Sequence, residues 1–280
     1  MTTMSSSRRP YFTQERISPH VTRIRDILDV ACYLVEGDER ACLIDTGHGI
    51  GDLRAYTQTL TDLPVFVILT HGHIDHAGAA ASWDEVWMHP LDLPVYRQHS
   101  DPDFRRRELC THEILQDLPS QDLSAAVRST PFRPLADGQI FDLGGLHLEA
   151  IWTPGHTPGM SMILICEERM ILFGDGCGVE VLLIFDDSST VSGYLETLRK
   201  VRGYEDRYDR ILRNHGTCES AKDLLGECIS CCEDILAGTD EAMPVFFGQT
   251  AALSARRVDA QHHRTDGKEG NILYTEEKRC

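Results

Sequence analysis

A chain of 280 residues, 41% hydrophobic and 25% charged, has the make-up of a folded globular protein rather than a disordered or collagen-like one. Its 44 acidic and 27 basic residues leave a formal charge of −17, which disfavours general attraction to a nucleic-acid backbone or an anionic membrane surface. The longest apolar runs, 160–166 and 179–185, fall well short of the roughly 18 to 20 residues a membrane-spanning helix needs. Residues 1–10 are followed by Tyr11-Phe12-Thr13-Gln14-Glu15-Arg16, which lacks the apolar stretch of a secretory leader. Together with ten irregularly spaced cysteines that read as reduced thiols, this gives the expectation of a cytoplasmic protein. The expected partner is a small-molecule substrate, with neither nucleic acid nor membrane and with a homodimer as the oligomeric option.

In chain order, the apolar stretches 31–35 and 41–44 flank the polar turn 36–39 and predict an antiparallel hairpin. Residues 51–60 carry a helical pattern, 65–69 a buried strand that ends in a Gly/His-rich turn, 85–88 a short strand, and 91–99 a helix behind Pro90. From 100 to 129 the chain is charged, and the segments 106–118 and 122–128 predict a helical insertion over the core. Hairpins are then predicted at 139–143 with 147–152, around Gly144-Gly145, and at 162–166 with 170–173. Helices at 194–201 and 220–236, a brief strand at Ile211-Leu212 and a last edge strand at 270–274 complete the pattern. Two halves with similar element order suggest two sheets packed face to face with helices outside, one sheet from each half. The expected organisation is one domain over 1–280, with a core of about 20–237, an insertion of about 100–130 and a C-terminal extension of about 238–280.

The informative segment is Thr70-His71-Gly72-His73-Ile74-Asp75-His76-Ala77-Gly78, directly after the strand at 65–69. Neutral imidazole and ionised carboxylate are ligands for zinc and related divalent ions, and a turn at a strand end points neighbouring residues at different centres. His71 and His73 can project together, while Asp75 and His76 face a second position, so one short loop can seed two metal sites. The remaining candidates, His156, Asp175 and His215, also sit at turns after apolar runs.

This pattern resembles the metallo-β-lactamase superfamily of metallohydrolases, whose H-x-H-x-D-H signature is matched by His71, His73, Asp75 and His76. Its later histidine, bridging aspartate and final histidine look like His156, Asp175 and His215, and its early strand-end aspartate looks like Asp45. The resemblance runs from about residue 21 to 237 and implies an αββα four-layer sandwich of two mixed β-sheets with outer helices. It implies one metal on His71, His73 and His156, another on Asp75, His76 and His215, and Asp175 between them. The implied cofactor is a pair of divalent ions, zinc in the first place, with iron or manganese as alternatives. Asp75 is then also the catalytic proton acceptor, and Asp45 orients a ligand histidine from behind.

His48 and the apolar run 179–185, ending at Phe185, are candidates for the substrate pocket, with a solvated turn or a plain strand as the competing readings. Cys177, Cys218 and the trio Cys228, Cys231 and Cys232 read as packed thiols. Arg105, Arg106 and Arg107 read as a solvated helix face, with contact to an anionic substrate as the alternative, and His262 and His263 read as surface residues. The implied activity is hydrolysis of an ester, thioester or lactone through a metal-bound hydroxide, similar to glyoxalase-II-like thioesterases and acyl-lactonases. Residues 238–280 carry no basic glutathione-binding motif and no tyrosine follows Asp175 closely, so the branch stays open. The alternatives are a small-molecule phosphodiesterase and an iron-dependent persulfide dioxygenase.

Overall fold

The computed structural model describes residues 10–115, 122–125 and 127–280. The first half of the chain winds into a seven-stranded sheet: β1 (Phe12–Arg16), β2 (Val21–Asp26), β3 (Ala31–Glu36), β4 (Ala41–Ile44), β5 (Val65–Ile68), β6 (Val86–Met88) and β7 (Arg133–Pro134), in that spatial order. Short polar turns join β1 to β4 as an antiparallel meander. From β4 onward the strands are parallel, and the longer crossovers this requires carry α1 (Leu53–Gln58), α2 (Ile74–Ala77), α3 (Leu93–His99) and α4 (Pro102–Cys110).

The second half supplies β8 (Ile140–Asp142), β9 (His147–Trp152), β10 (Ser161–Ile165) and β11 (Met170–Leu172) as antiparallel neighbours. After β12 (Val181–Leu183) leaves this sheet and α5 (Val191–Arg202) crosses over, β13 (Arg210–Leu212) pairs parallel to β11 and β14 (Glu219–Ser220) closes the sheet. The two sheets bury Tyr33, Ile44 and Ile68 from one side against Leu148, Ile163 and Leu172 from the other. A fully buried aliphatic side chain contributes about 1.5–3 kcal/mol, so this shared apolar layer fixes the sheets face to face. The outer face of the first sheet packs on α1 to α3 through Leu34, Leu43, Leu53, Val67 and Tyr96. That of the second packs on α5 and α6 (Leu224–Ala237) through Leu164, Ile171, Leu198 and Ile229. The result is the expected four-layer αββα order.

Three elements differ from expectation. The insertion helix α4 starts at Pro102 rather than Arg106, because Asp101 caps it by accepting the N–H groups of Asp103 and Phe104 and Pro102 suits the first turn. No α-helix forms over the described residues of 122–128; Asp122 is in a 3-10 turn and Leu123 pairs with Ile50 in an isolated bridge, while 116–121 and 126 lie outside the described residues. The last strand, β17 (Ile272–Tyr274), is not at an edge. It lies between β12 and β16 (Thr250–Ser254) in a third sheet of order β12-β17-β16-β15, where β15 (Met243–Phe247) is the outer strand. The β15–β16 hairpin turns on Gly248-Gln249, with Gly248 at φ +58°, the backbone region glycine reaches without strain. Among the described residues no helix is long and apolar enough to cross a membrane.

Candidate metal centre

Strand β5 delivers the chain through Leu69 and Thr70 into the turn carrying His71 and His73, and the single turn of α2 then carries Asp75 and His76. His156 lies between β9 and β10, and Asp175 and His215 follow the ends of the parallel strands β11 and β13. The fold thus collects all seven predicted residues at one rim of the sandwich.

They form two adjoining groups whose donor atoms, within each group, lie within 4.8 Å of one another. In the first, His73 Nδ1 is 3.1 Å from His71 Nε2 and 3.0 Å from His156 Nε2. In the second, His215 Nε2 is 3.3 Å from both His76 Nε2 and Asp75 Oδ2, and Asp75 Oδ2 is 3.4 Å from His76 Nε2. Asp175 lies between them: its Oδ2 is 3.4 Å from His76, 3.7 Å from His156 and 4.0 Å from His71, and its Oδ1 is 3.3 Å from His215.

Three of the histidines have their outward nitrogen engaged, which sets the tautomer and leaves the inward nitrogen as a lone-pair donor. His76 Nδ1–H donates to Asp45 at 2.9 Å, His156 Nδ1–H to the Leu182 carbonyl at 3.0 Å, and His71 Nδ1 is 3.1 Å from Thr70 Oγ1. The Thr70 hydroxyl in turn donates to Asp45, which also accepts the Thr70 N–H and, at 2.9 Å, the Asn214 side-chain amide. One fully buried carboxylate therefore orients His71 through Thr70, His76 directly, and the His215 loop through Asn214. Asp45 holds φ at +64°, a left-handed conformation costly for a non-glycine residue and found where surrounding contacts impose it.

A second buried carboxylate was invisible in the sequence pattern. Asp92, fully buried, accepts the Gly72 N–H at 2.8 Å, the Thr157 hydroxyl at 2.9 Å and the Gly159 N–H at 2.5 Å. It joins the loop of His71 and His73 to the loop of His156. The contact is so close that a Cβ on Gly72 would come within 2.9 Å of the Asp92 carbonyl oxygen, and one on Gly159 within 2.7 Å of the Asp92 nitrogen. His99, at the end of α3, was also missed. Its Nδ1 accepts the Ile74 N–H at 3.2 Å and its ring stacks 4.5 Å from that of His73.

Burial first, and then neighbouring imidazoles, hold His71 and His73 well below the ordinary histidine range, and burial likewise lowers His156. The second group is the reverse. Burial opposes it, but Asp175, Asp75 and Asp45 raise His76 well above the ordinary value, and Asp175 and Asp75 push His215 up to about 10. Against burial, these histidines hold Asp75 and Asp175 well below the usual carboxylate range. The side chains of the first group are nearly closed to solvent, whereas His215 is 43% exposed, which marks the approach side.

Of the pocket candidates, Phe185 meets the centre: its ring sits 5.3 Å from that of His73 and 5.6 Å from that of His156, both edge-on. His48 is instead anchored to Asp26, with Nδ1 2.7 Å from the carboxylate, and its ring neighbours His112. Arg105 departs from both of its readings. It is buried and donates to the carbonyls of Gly78 and His48, clamping the loops on either side, while Arg106 stays exposed beside Asp103. Cys177, Cys228, Cys231 and Cys232 are buried in the core beneath α5 and α6, and Cys218 in the core between the sheets. His262 and His263 are exposed, the former 3.2 Å from Glu180.

A profile of the Metallo-beta-lactamase superfamily matches residues 25–208. The chain belongs to this superfamily. Of the seven donors, His215 lies beyond the matched segment and joins the others through the fold. Among relatives of the superfamily, the Probable metallo-hydrolase YqgX of Bacillus subtilis is 24% identical over 143 residues, 51% of this chain and 64% of that protein. The human Acyl-coenzyme A thioesterase MBLAC2 is 28% identical over 204 residues, 65% of this chain and 71% of that protein. Among solved structures, a metallo-beta-lactamase from Pontibacter korlensis shares the fold with a TM-score of 0.60 at 17% identity, over 80% of this chain and 99% of that one. TTHA1623 in a di-iron-bound form is 26% identical with a TM-score of 0.50, over 76% of this chain and 96% of that one.

Proposed function

We propose that this protein is a metal-dependent hydrolase that cleaves a small-molecule thioester, with ester and lactone carbonyls as the neighbouring substrates. The observation that carries this reading is Asp175, whose two carboxylate oxygens lie between a three-histidine group and a group of two histidines and Asp75. His71, His73 and His156 would hold one divalent ion, His76, His215 and Asp75 the other, with Asp175 shared. Two such ions activate water for attack, polarise the carbonyl and stabilise the leaving sulfur or oxygen.

The chain's own residues supply the rest. Asp45 and the Leu182 carbonyl hold the imidazoles in the donor tautomer, Asp92 ties the two histidine loops together, and Phe185 packs edge-on against His73 and His156. Asp75, held against burial well below the usual carboxylate range by His76 and His215 and 23% exposed, would accept a proton from the attacking water and return it to the leaving group. Thioester chemistry is favoured by the likeness to the acyl-coenzyme A thioesterase MBLAC2 and to the hydroxyacylglutathione hydrolase of Xylella fastidiosa, which is 29% identical over 150 residues. Zinc is the proposed metal and iron the alternative, which the di-iron form of TTHA1623 keeps open.

The test is metal content per chain in protein purified without added metal, together with turnover on thioester, lactone, aryl ester and phosphodiester substrates. Two equivalents of metal and thioester turnover are expected, and Asp175→Ala is expected to lose both. Retention of two metals with full turnover in that variant would refute the bridging role, and turnover on the phosphodiester alone would replace the carbonyl reading.

A further inference from the structure

The third sheet has two unlike faces. Val181, Leu183, Ile272 and Tyr274 point to α6 and belong to the core beneath the second sheet. On the opposite face Leu182, Leu273, Ala252 and Val245 form a separate apolar cluster with Ile184 and Phe185, and no helix among the described residues contributes a side chain to it. The pairings Leu182 with Leu273, Leu273 with Ser254, and Val245 with Ala252 place these residues on one side of the pleat. Leu273 and Ala252 form a buried floor, whereas Phe185, Leu182 and Val245 are half-buried.

This face begins at the metal centre. Phe185 lies edge-on to His73 and His156, and the carbonyl of Leu182 holds the outward nitrogen of His156. It ends at β15, three strand spacings away, or about 14 Å. That is the reach of an extended lauroyl chain. The hydroxyl of Ser254, on the same face, donates to the Arg256 carbonyl at 2.7 Å and offers a ligand no free donor.

We infer that the face of Phe185, Leu182 and Val245 is a binding track for a medium-length saturated acyl chain, whose carbonyl it presents to the two donor groups. The inference rests on the proposed thioester hydrolysis. Transfer of each methylene from water onto such a surface favours longer chains by roughly twofold per methylene when half of its area is covered. The specificity constant is therefore expected to climb on the order of a thousandfold over the ten methylenes from acetyl to lauroyl. Residues 238–280, which build three of the four strands, thus set chain-length preference for a centre built by the rest of the protein.

The experiment compares acetyl, octanoyl and lauroyl thioesters of one small thiol, and in parallel the binding of lauric acid by displacement of a fluorescent fatty acid. The proteins are wild type, Val245→Asp and Phe246→Asp. Phe246, 74% exposed, points to the other side of the same strand and is the control for the charge and for folding. The expected result is a steep chain-length gain lost in Val245→Asp, kept in Phe246→Asp, with acetyl turnover unchanged in both. Equal turnover of all three thioesters overturns the track and leaves thioester hydrolysis standing. Lauric acid binding that only Val245→Asp abolishes, without hydrolysis, supports the track and overturns the hydrolysis reading. Dissociation of a dimer by Val245→Asp, with chain-length preference intact, assigns the face to a second copy and overturns the track.

Discussion

At the residue scale, two carboxylates that touch no substrate decide where the donors point. Removing Asp45 strands the His76 Nδ1–H, the Thr70 donors and one N–H of the Asn214 amide, whose other partner is the Ala31 carbonyl. Asp45→Ala is expected to weaken metal affinity by roughly 10- to 100-fold, read by competition with a chelator. Asp92→Ala leaves three buried donors without an acceptor and should cost about 3 kcal/mol or more in urea unfolding. Burial pushes the Asp92 carboxyl from 3.8 up to about 6, against the hydrogen bonds that lower it. The folded state therefore binds this proton more tightly than the unfolded chain. The associated stabilisation is full below the unfolded value and is lost as pH rises through about 6. Relative to Asp92→Asn, which has no such proton, wild-type stability should decline between pH 3.8 and about 6. A flat difference across that window would show that the carboxylate is not held in this way.

Among the elements, α4 teaches most about reading a charged helix. Three consecutive arginines look equivalent along the chain, yet helix rotation sends Arg105 inward to the carbonyls of Gly78 and His48 and leaves Arg106 73% exposed. Arg105→Ala is expected to destabilise by about 2 kcal/mol, since two carbonyls lose a charged donor. Arg106→Ala should stay within about 0.5 kcal/mol. Equal effects in thermal unfolding would mean that Arg105 is not a clamp. The hairpins at β3–β4, β8–β9 and β10–β11 were legible because polar or glycine turns interrupt clean apolar runs. The β15–β16 hairpin was harder to see. Pro244 and the small, polar stretch at Gly248-Gln249-Thr250-Ala251 dilute its apolar alternation, although the two-residue turn was a usable signal.

For the whole molecule, the C-terminal segment is part of the architecture. Ala255, just after β16, and Ile272 and Tyr274 of β17 enter the same core that α5 and α6 share with the second sheet. A chain ending at Ala237 uncovers that core and leaves β12 with no hydrogen-bonded neighbour. Such a truncation is expected to aggregate on expression, an outcome checked by size-exclusion chromatography and near-ultraviolet circular dichroism. A monomeric, cooperatively melting product would show that the third sheet is dispensable for folding.

Family, layer order and donor set were open to reading because they depend on short-range pattern. A strand that ends in His-x-His-x-Asp-His, and turns that place His156, Asp175 and His215 after apolar runs, keep their chemical meaning whatever surrounds them. Asp92, His99 and the inward face of Arg105 have no such local mark. Their roles arise from segments tens of residues apart meeting, as Asp92 meets Gly72, Thr157 and Gly159. The register of β12 against β17 likewise exists only once the chain has folded back on itself. Local sequence determined which groups this protein brings to its centre. Tertiary packing decided what holds them there and which surface leads to them, because buried polar groups must find partners wherever the fold supplies them.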